Sequence, residues 1–404
     1  MTSPAVPRAL LLENVHPCAA SILSAAGFEV DVEKRALDEA ELTDALHGVS
    51  ALGIRSQTQV TPGVLAAAPD LMTVGAFCIG TNQIDVPAAS RTGVAVFNAP
   101  FSNTRSVVEL TLAEIIALAR RLTDRDRALH AGVWDKSASG SHEIRGRRLG
   151  IVGYGNIGSQ LSVLAEALGM SVAFYDTADK LALGNARRCE TQDELLEWAE
   201  IVSLHVDGRP GNAGLFGERQ FAAMNHASMF LNLSRGFVVD HEALRAHIES
   251  GHIAGAAVDV FPDEPKANGG AFDSALRHLP NVILTPHIGG STEEAQQSIG
   301  EFVSAKMRDY LRYGSTTLSV NLPTLSLAQQ PGTHRLAHLH DNVPGVLAAI
   351  NGALADHGVN VEGQMLATRG DLGYVVTDVN GQSSPHLEDW LRGMDETIRL
   401  RVLS

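Results

Sequence analysis

At 404 residues the chain has room for two or three domains of about 150 residues each, and it can bury enough surface to fold without disulfides or a structural metal. Thirty-one basic against 46 acidic residues leave a net charge of −15, which argues against a nucleic-acid or anionic-membrane partner while permitting a local basic pocket. The three cysteines, Cys18, Cys78 and Cys189, are odd in number and lack C-x-x-C spacing, so neither a disulfide framework nor a cysteine-rich zinc site is expected. The apolar run Ala9–Leu12 is too short for a signal-peptide core, and Val107–Ala119 is interrupted by Glu109 and Glu114. A soluble, cytoplasmic protein that neither crosses a membrane nor binds metal is the expectation.

In chain order, Ala9–Leu12, Ala51–Ile54, Met72–Ala76 and Val94–Phe97 read as short apolar strands with helical patterns between the first of them. That rhythm means βαβ units and a parallel sheet covered on both faces. From Ser106 to Ala128, the residues Val107, Leu110, Ile115, Leu118 and Leu122 keep helical spacing and predict one long helix. Strand and helix then alternate again from Leu149–Val152. The Ser-, Thr-, Pro- and Gln-rich stretch Ser315–His334 reads as a linker. Beyond it, Arg335–His340, Pro344–His357, Val359–Thr368, Gly373–Val379, His386–Met394 and Thr397–Leu403 read as βαββαβ. The predicted fold class is α/β: two Rossmann-like doubly wound parallel-sheet lobes and a C-terminal ferredoxin-like βαββαβ module.

The strongest local signal is Gly153-Tyr-Gly155-Asn156-Ile157-Gly158, which follows the strand Leu149–Val152 and opens a helical pattern over Ile157–Leu168. A second strand, Ser171–Tyr175, ends in Asp176, 18 residues after Gly158. Gly153 allows the tight turn, Gly155 lets the backbone approach a pyrophosphate, and Gly158 lets helix and strand close together. The pyrophosphate would meet free N–H groups at the helix start, and Asp176 would accept from both ribose hydroxyls. With no arginine directly after Asp176, NAD is preferred to NADP. A glycine turn without a ligand is the alternative.

Three later strands each end in a polar group: Met229–Leu233 before Arg235, Ile253–Val260 before Glu264, and Val282–Leu284 before His287. Strand ends line the ligand crevice of an open parallel sheet. Oxidation of a 2-hydroxy acid needs a base for the hydroxyl proton, a carboxylate to orient it, and a planar cation for the substrate carboxylate. His287, Glu264 and Arg235 supply that set. Taken singly, Arg235 could be a surface ion pair and Glu264 part of a solvated acidic loop.

The segments Leu149–Gly158, Leu231–Asp240, Ala254–Pro265 and Leu284–Ala295 resemble the D-2-hydroxyacid dehydrogenases, as do Gly53–Ser56, Cys78–Asp85, Asn103–Ser106 and Gly132–Lys136. The resemblance implies that Arg235 grips the substrate carboxylate, that His287 is the acid/base and that Glu264 is its partner. It also implies an NAD site of Gly153, Gly155, Asn156, Ile157, Gly158, Asp176, His205, Asp259 and Gly290, with Asp259 holding the nicotinamide amide. Arg55, Ser56, Lys136, Gly80 and Asn103 would bind substrate, and Trp134 would be a subunit contact. Asp207 departs from the proline usual in the family.

The C-terminal module resembles an ACT domain, with His340, Asn342 and Asn360 as regulatory ligands for L-serine; Asn342 as a helix N-cap is the alternative. Val343 and Asp341 depart from the usual basic residue and Glu. The implied domains are 1–103 with 291–330 for substrate, 104–290 for NAD and 333–404 for regulation. The implied reaction is NAD-dependent oxidation of 3-phospho-D-glycerate to 3-phosphohydroxypyruvate, the first step of L-serine biosynthesis, in a homodimer or homotetramer. A reductase of hydroxypyruvate, glyoxylate or another 2-keto acid and a non-enzymatic NAD-sensing protein are the alternatives.

Overall fold

The computed structural model describes residues 6–265, 269–330, 332–380 and 384–403. They form two compact units, Asn103–Ala295 and a second made of the chain up to Ser102 and from Gln296 onward.

The second unit carries strands β1 (Arg8–Leu11), β2 (Glu29–Val32), β3 (Val49–Ile54), β4 (Thr73–Ala76) and β5 (Ala95–Phe97). All pair in parallel, in the order β2-β1-β3-β4-β5. The central strands β3 and β4 are almost wholly buried, as expected of largely apolar strands covered on both faces. The direction of winding reverses between β1 and β3, the kind of place where open α/β sheets bind ligands. From the helix Glu293–Tyr313, Ile299, Val303, Met307 and Tyr310 enter the core on one face.

The stretch Ser315–His334 corrects the expected linker, apart from Pro331, which lies outside the described residues. It runs along the edge strand β5: the Val320 N–H donates to the Val96 carbonyl at 2.8 Å, and Asn321 Oδ1 accepts from the Val96 N–H at 2.9 Å. Leu322 and Leu325 are buried in the core. A sheet edge with unpaired N–H and C=O groups takes its partners from a polar segment as readily as from a strand.

The C-terminal module has the expected βαββαβ order, with β13 (Thr333–Asp341), β14 (Val361–Arg369), β15 (Leu372–Asn380) and β16 (Thr397–Leu403) antiparallel in the order β14-β15-β13-β16. Helices Val346–Asp356 and Pro385–Arg392 cover one face. From the other face, Ala337, Leu339, Tyr374, Val376 and Leu403 join Met307, Tyr310, Leu322 and Leu325 in one core. Buried Arg335 pairs with buried Asp378 at 2.7 Å and donates to the Tyr313 carbonyl at 2.8 Å, while Tyr374 Oη donates to the Gly314 carbonyl at 2.8 Å. The module is thus packed onto the core of its own unit.

The unit Asn103–Ala295 holds β6 (Arg148–Val152), β7 (Ser171–Tyr175), β8 (Arg187–Arg188), β9 (Ile201–Leu204), β10 (Ser228–Asn232), β11 (Ile253–Val258) and β12 (Val282–Leu284). All are parallel, ordered β12-β11-β10-β9-β6-β7-β8, and the winding reverses between β6 and β9. The single long helix expected over Ser106–Ala128 is instead two, Thr104–Ala119 and Leu122–His130, broken at left-handed Arg121 (φ 50°). Apolar burial stops at Ala119, whose carbonyl accepts from the His142 N–H at 2.7 Å, and the second helix buries no residue. No described helix is long and apolar enough to cross a membrane.

Candidate active site

Strand β6 delivers Gly153 into the reversal point in a left-handed conformation (φ 92°). A Cβ there would lie 2.6 Å from the His205 carbonyl oxygen at the end of β9, and one on Gly158 would lie 2.2 Å from the Gly153 carbonyl oxygen. Both glycines are therefore demanded by the chain's own closeness. Gly155 is different, because a Cβ there would meet nothing within 4 Å. The open space lies at the start of the 12-residue helix Asn156–Ala167, where unpaired N–H groups favour an anion. Asp176 is fixed at the mouth, accepting from the N–H groups of Tyr154 at 2.7 Å and Ala178 at 2.8 Å. His205 Nε2 pairs with Ser203 Oγ at 2.8 Å, and burial pushes its pKa down to about 3, so its ring is neutral. This donor set fits a dinucleotide.

Asp207 explains its departure from proline. Its carboxylate holds Arg209 in two-point fashion at 2.7 and 2.8 Å and accepts from Asn212 Nδ2 at 2.8 Å, ordering the loop after β9. No motif in the sequence marks Arg209, whose charge also senses Asp176.

At the other strand ends, His287 Nδ1 lies 2.8 Å from Glu264 Oε2, and the Phe261 N–H donates to Glu264 Oε1 at 3.0 Å. The Glu264 hydrogen bond holds the His287 pKa above the ordinary imidazole value against the opposing effect of burial. Burial pushes Glu264 up, but the hydrogen bonds from His287 and Phe261 outweigh it and hold the carboxyl below its usual range. The Arg235 charge acts on both groups. Its loop is brought there by Gly236, whose added Cβ would sit 2.0 Å from the Phe261 carbonyl carbon. Asn232 shapes the same turn, with Nδ2 donating to the Arg235 carbonyl at 3.0 Å and Oδ1 accepting from Ser234 Oγ at 2.7 Å.

His287 stands in a left-handed conformation (φ 53°), unusual for a residue with a side chain. Asp259 holds it there. The Asp259 carbonyl accepts from the His287 N–H at 2.8 Å. Asp259 Oδ1 accepts from Thr285 Oγ1 at 2.6 Å and from the Ile288 N–H at 2.8 Å, and Oδ2 accepts from the Gly289 N–H at 2.8 Å. Asp259 therefore organises the loop that carries His287, a task its spacing in the sequence did not disclose.

Glu114, in the sequence a charge that interrupts the apolar run Val107–Ala119, lies buried near this loop with neither oxygen hydrogen-bonded among the described residues. Burial, and after it the Asp259 charge, push its pKa up to about 8, with Thr285 acting the other way. The folded chain thus keeps a proton that the unfolded chain releases near pH 4.5, so stability falls as pH rises from about 4.5 to about 8. At pH 7 the cost is about 3 kcal/mol. Glu114→Gln mimics the protonated form, and denaturant unfolding should find it more stable than the parent by about that much at pH 7 and by less than about 1 kcal/mol near pH 5.

Asn103 and Gly290 meet in this unit, since a Cβ on Gly290 would lie 2.2 Å from Asn103 Nδ2; Lys136 is exposed on its loop. In the other unit, Arg55 and Ser56 directly follow β3, and Gly80 accepts from Cys78 Sγ at 3.1 Å. In the C-terminal module His340 is buried, its Nδ1 paired with the Asp341 carbonyl at 2.8 Å, whereas Asn342 and Asn360 are exposed. Asn342 is not the N-cap: Gly345 occupies that position, and Asn342 Nδ2 donates to the Gly370 carbonyl at 3.0 Å.

Residues 112–289 match the family model described as D-isomer specific 2-hydroxyacid dehydrogenase, NAD binding domain, and 336–399 match the one described as AHAS small subunit-like ACT domain. A D-3-phosphoglycerate dehydrogenase of Haemophilus influenzae is 48% identical, over 98% of this chain and 96% of that one. The chain belongs to the D-3-phosphoglycerate dehydrogenases. A relative of that description in Dictyostelium discoideum is 46% identical, again over 98% of this chain and 96% of its own. The solved structure of D-2-hydroxyisocaproate dehydrogenase shares the fold, with a TM-score of 0.71 over 78% of this chain and 99% of that one at 22% identity. As an NAD-dependent member of this family, the chain has its glycine turn, Asp176 and the Arg235–Glu264–His287 set inside or at the edge of the matched NAD-binding domain.

Proposed function

We propose that the chain interconverts 3-phospho-D-glycerate and 3-phosphohydroxypyruvate. The observation that carries this is the Glu264–His287 pair at 2.8 Å, in a chain that aligns over nearly its full length with relatives of that name. With Nδ1 engaged by Glu264 and Nε2 without a hydrogen-bond partner among the described residues, His287 takes the substrate hydroxyl proton on Nε2 as the C2 hydride leaves, and Glu264 stabilises the imidazolium that forms. Arg235 grips the substrate carboxylate and opposes charge on the developing carbonyl oxygen. NAD supplies the hydride acceptor when bound. Asn156, Ile157, Gly155 and Gly158 cradle its pyrophosphate, Asp176 takes the ribose, and His205, Asp259 and Gly290 take the nicotinamide end.

Arg55 and Ser56 supply positive charge and donors for the substrate phosphate, and Gly80, Asn103 and Lys136 are further substrate-binding residues. L-serine acts through His340, Asn342 and Asn360 of the C-terminal module. The assembly is a cytoplasmic homodimer or homotetramer, and Trp134, 79% exposed in the single chain, is a subunit contact.

The test compares NADH oxidation by 3-phosphohydroxypyruvate, hydroxypyruvate and glyoxylate, each with and without L-serine. A strong preference for the phosphorylated acid, suppressed by serine, is expected. Equal or better use of the unphosphorylated acids would replace this reading with a general 2-keto acid reductase.

A further inference from the structure

The winding of the first sheet reverses between β1 and β3, and the residues that leave those two strands are tied together. Glu13 follows β1 in a left-handed conformation (φ 60°) and is buried. Its Oε2 accepts from the N–H groups of Ser56 at 2.9 Å and Gln57 at 3.0 Å, and its Oε1 from the N–H of Thr58 at 2.8 Å. Three successive amides some 43 to 45 residues along the chain thus converge on one carboxylate. The same loop is held from its other side. The Arg55 carbonyl accepts from Gln83 Nε2 at 2.5 Å and from Cys78 Sγ at 3.4 Å, and Gln83 is itself buried.

A strained backbone and a buried carboxylate are more than a surface loop needs to close. Such an arrangement fixes a segment whose side chains must stand in one place. We propose that Glu13 is a positioning residue for substrate recognition: with Gln83 it locks the Arg55–Thr58 loop so that Arg55 and Ser56 present a preformed phosphate site. This rests on the reading of Arg55 and Ser56 as phosphate contacts. Preforming the loop lowers the ordering cost of binding, so its effect falls on recognition of the phosphorylated end rather than on proton or hydride transfer.

Glu13→Gln keeps the shape but turns an NH2 group toward at least one of the three amides. The expected result is a rise of about tenfold in KM for 3-phosphohydroxypyruvate, with kcat, the KM for NADH and the kinetics on hydroxypyruvate within about twofold of the parent. Glu13→Asp, which keeps the charge at shorter reach, should fall between. A parallel loss on phosphorylated and unphosphorylated substrates, or no change in a variant that melts like the parent, overturns the proposal. Should Glu13→Gln fail to fold, Gln83→Leu loosens the same loop and is read by the same criteria. Arg55→Ala separates the proposal from the reading beneath it. If phosphate preference survives Arg55→Ala, both fall. If Arg55→Ala erases it while Glu13→Gln and Gln83→Leu leave it intact, the positioning role alone falls.

Discussion

Replacing His287 with alanine is expected to lower turnover about 10²- to 10⁴-fold while leaving NADH affinity near that of the parent. The imidazole is the proton carrier in this reading, and its two nitrogens have separate tasks, Nδ1 toward Glu264 at 2.8 Å and Nε2 toward substrate. Turnover within threefold of the parent would remove His287 from the mechanism. The pH profile gives a finer check. Oxidation of the hydroxy acid needs neutral imidazole, so its rate should fall as pH drops through the raised His287 pKa; reduction of the keto acid needs imidazolium and should fall as pH rises through it. Because the Glu264 hydrogen bond is the largest cause of the raised value, Glu264→Gln should move both limbs to lower pH. Unmoved limbs would mean that the titrating group is another one.

Asp378→Ala should destabilise the C-terminal module by about 3 to 5 kcal/mol, since it leaves the Arg335 guanidinium buried without its counter-charge. Both side chains are 0% exposed, and Arg335 also anchors the Tyr313 carbonyl, so the loss reaches the packing of the module on the core it shares with the helix Glu293–Tyr313. In a chain of several units one melting temperature would blur this, and amide exchange in β13 and β15 is the appropriate measurement. The double variant Arg335→Met/Asp378→Leu removes both charges and should recover most of the lost protection. Equal protection in Asp378→Ala and the parent would show that the pair contributes nothing to docking.

Much of this protein is legible without coordinates, where a function depends on residues close together in sequence. The turn Gly153–Gly158 with its following helix and Asp176 is one continuous strand–helix–strand unit, so its spacing carries its geometry. The set of Arg235, Glu264 and His287 was readable for a related reason: each follows an apolar strand, and parallel strands bring their carboxyl ends to one edge. The βαββαβ module was readable from period alone.

Other features depend on what the rest of the fold places nearby. Nothing in the pattern around Arg121 announces a helix break, because the break arises where the His142 N–H takes the Ala119 carbonyl. The polar composition of Ser315–His334 reads as linker, yet the unpaired edge of β5 converts it into a packed segment. The strand Glu29–Val32 is an edge element with a mixed sequence, Glu-Val-Asp-Val, and gave no apolar run to read.

Sequence by itself determined the alternation of elements, the dinucleotide turn and which polar groups stand at the strand ends, since backbone sterics, hydrophobic period and side-chain chemistry act locally. Tertiary structure alone decided which groups hold them in place. Glu13 beneath the Arg55 loop, Glu114 as a buried acid and Asp378 opposite Arg335 are ordinary acidic residues in the sequence, and nothing there shows Asp259 holding the His287 turn. Their roles come from burial and from partners that only folding supplies: a carboxylate in water is solvated and interchangeable, whereas one removed from water must find donors, a counter-charge or a proton.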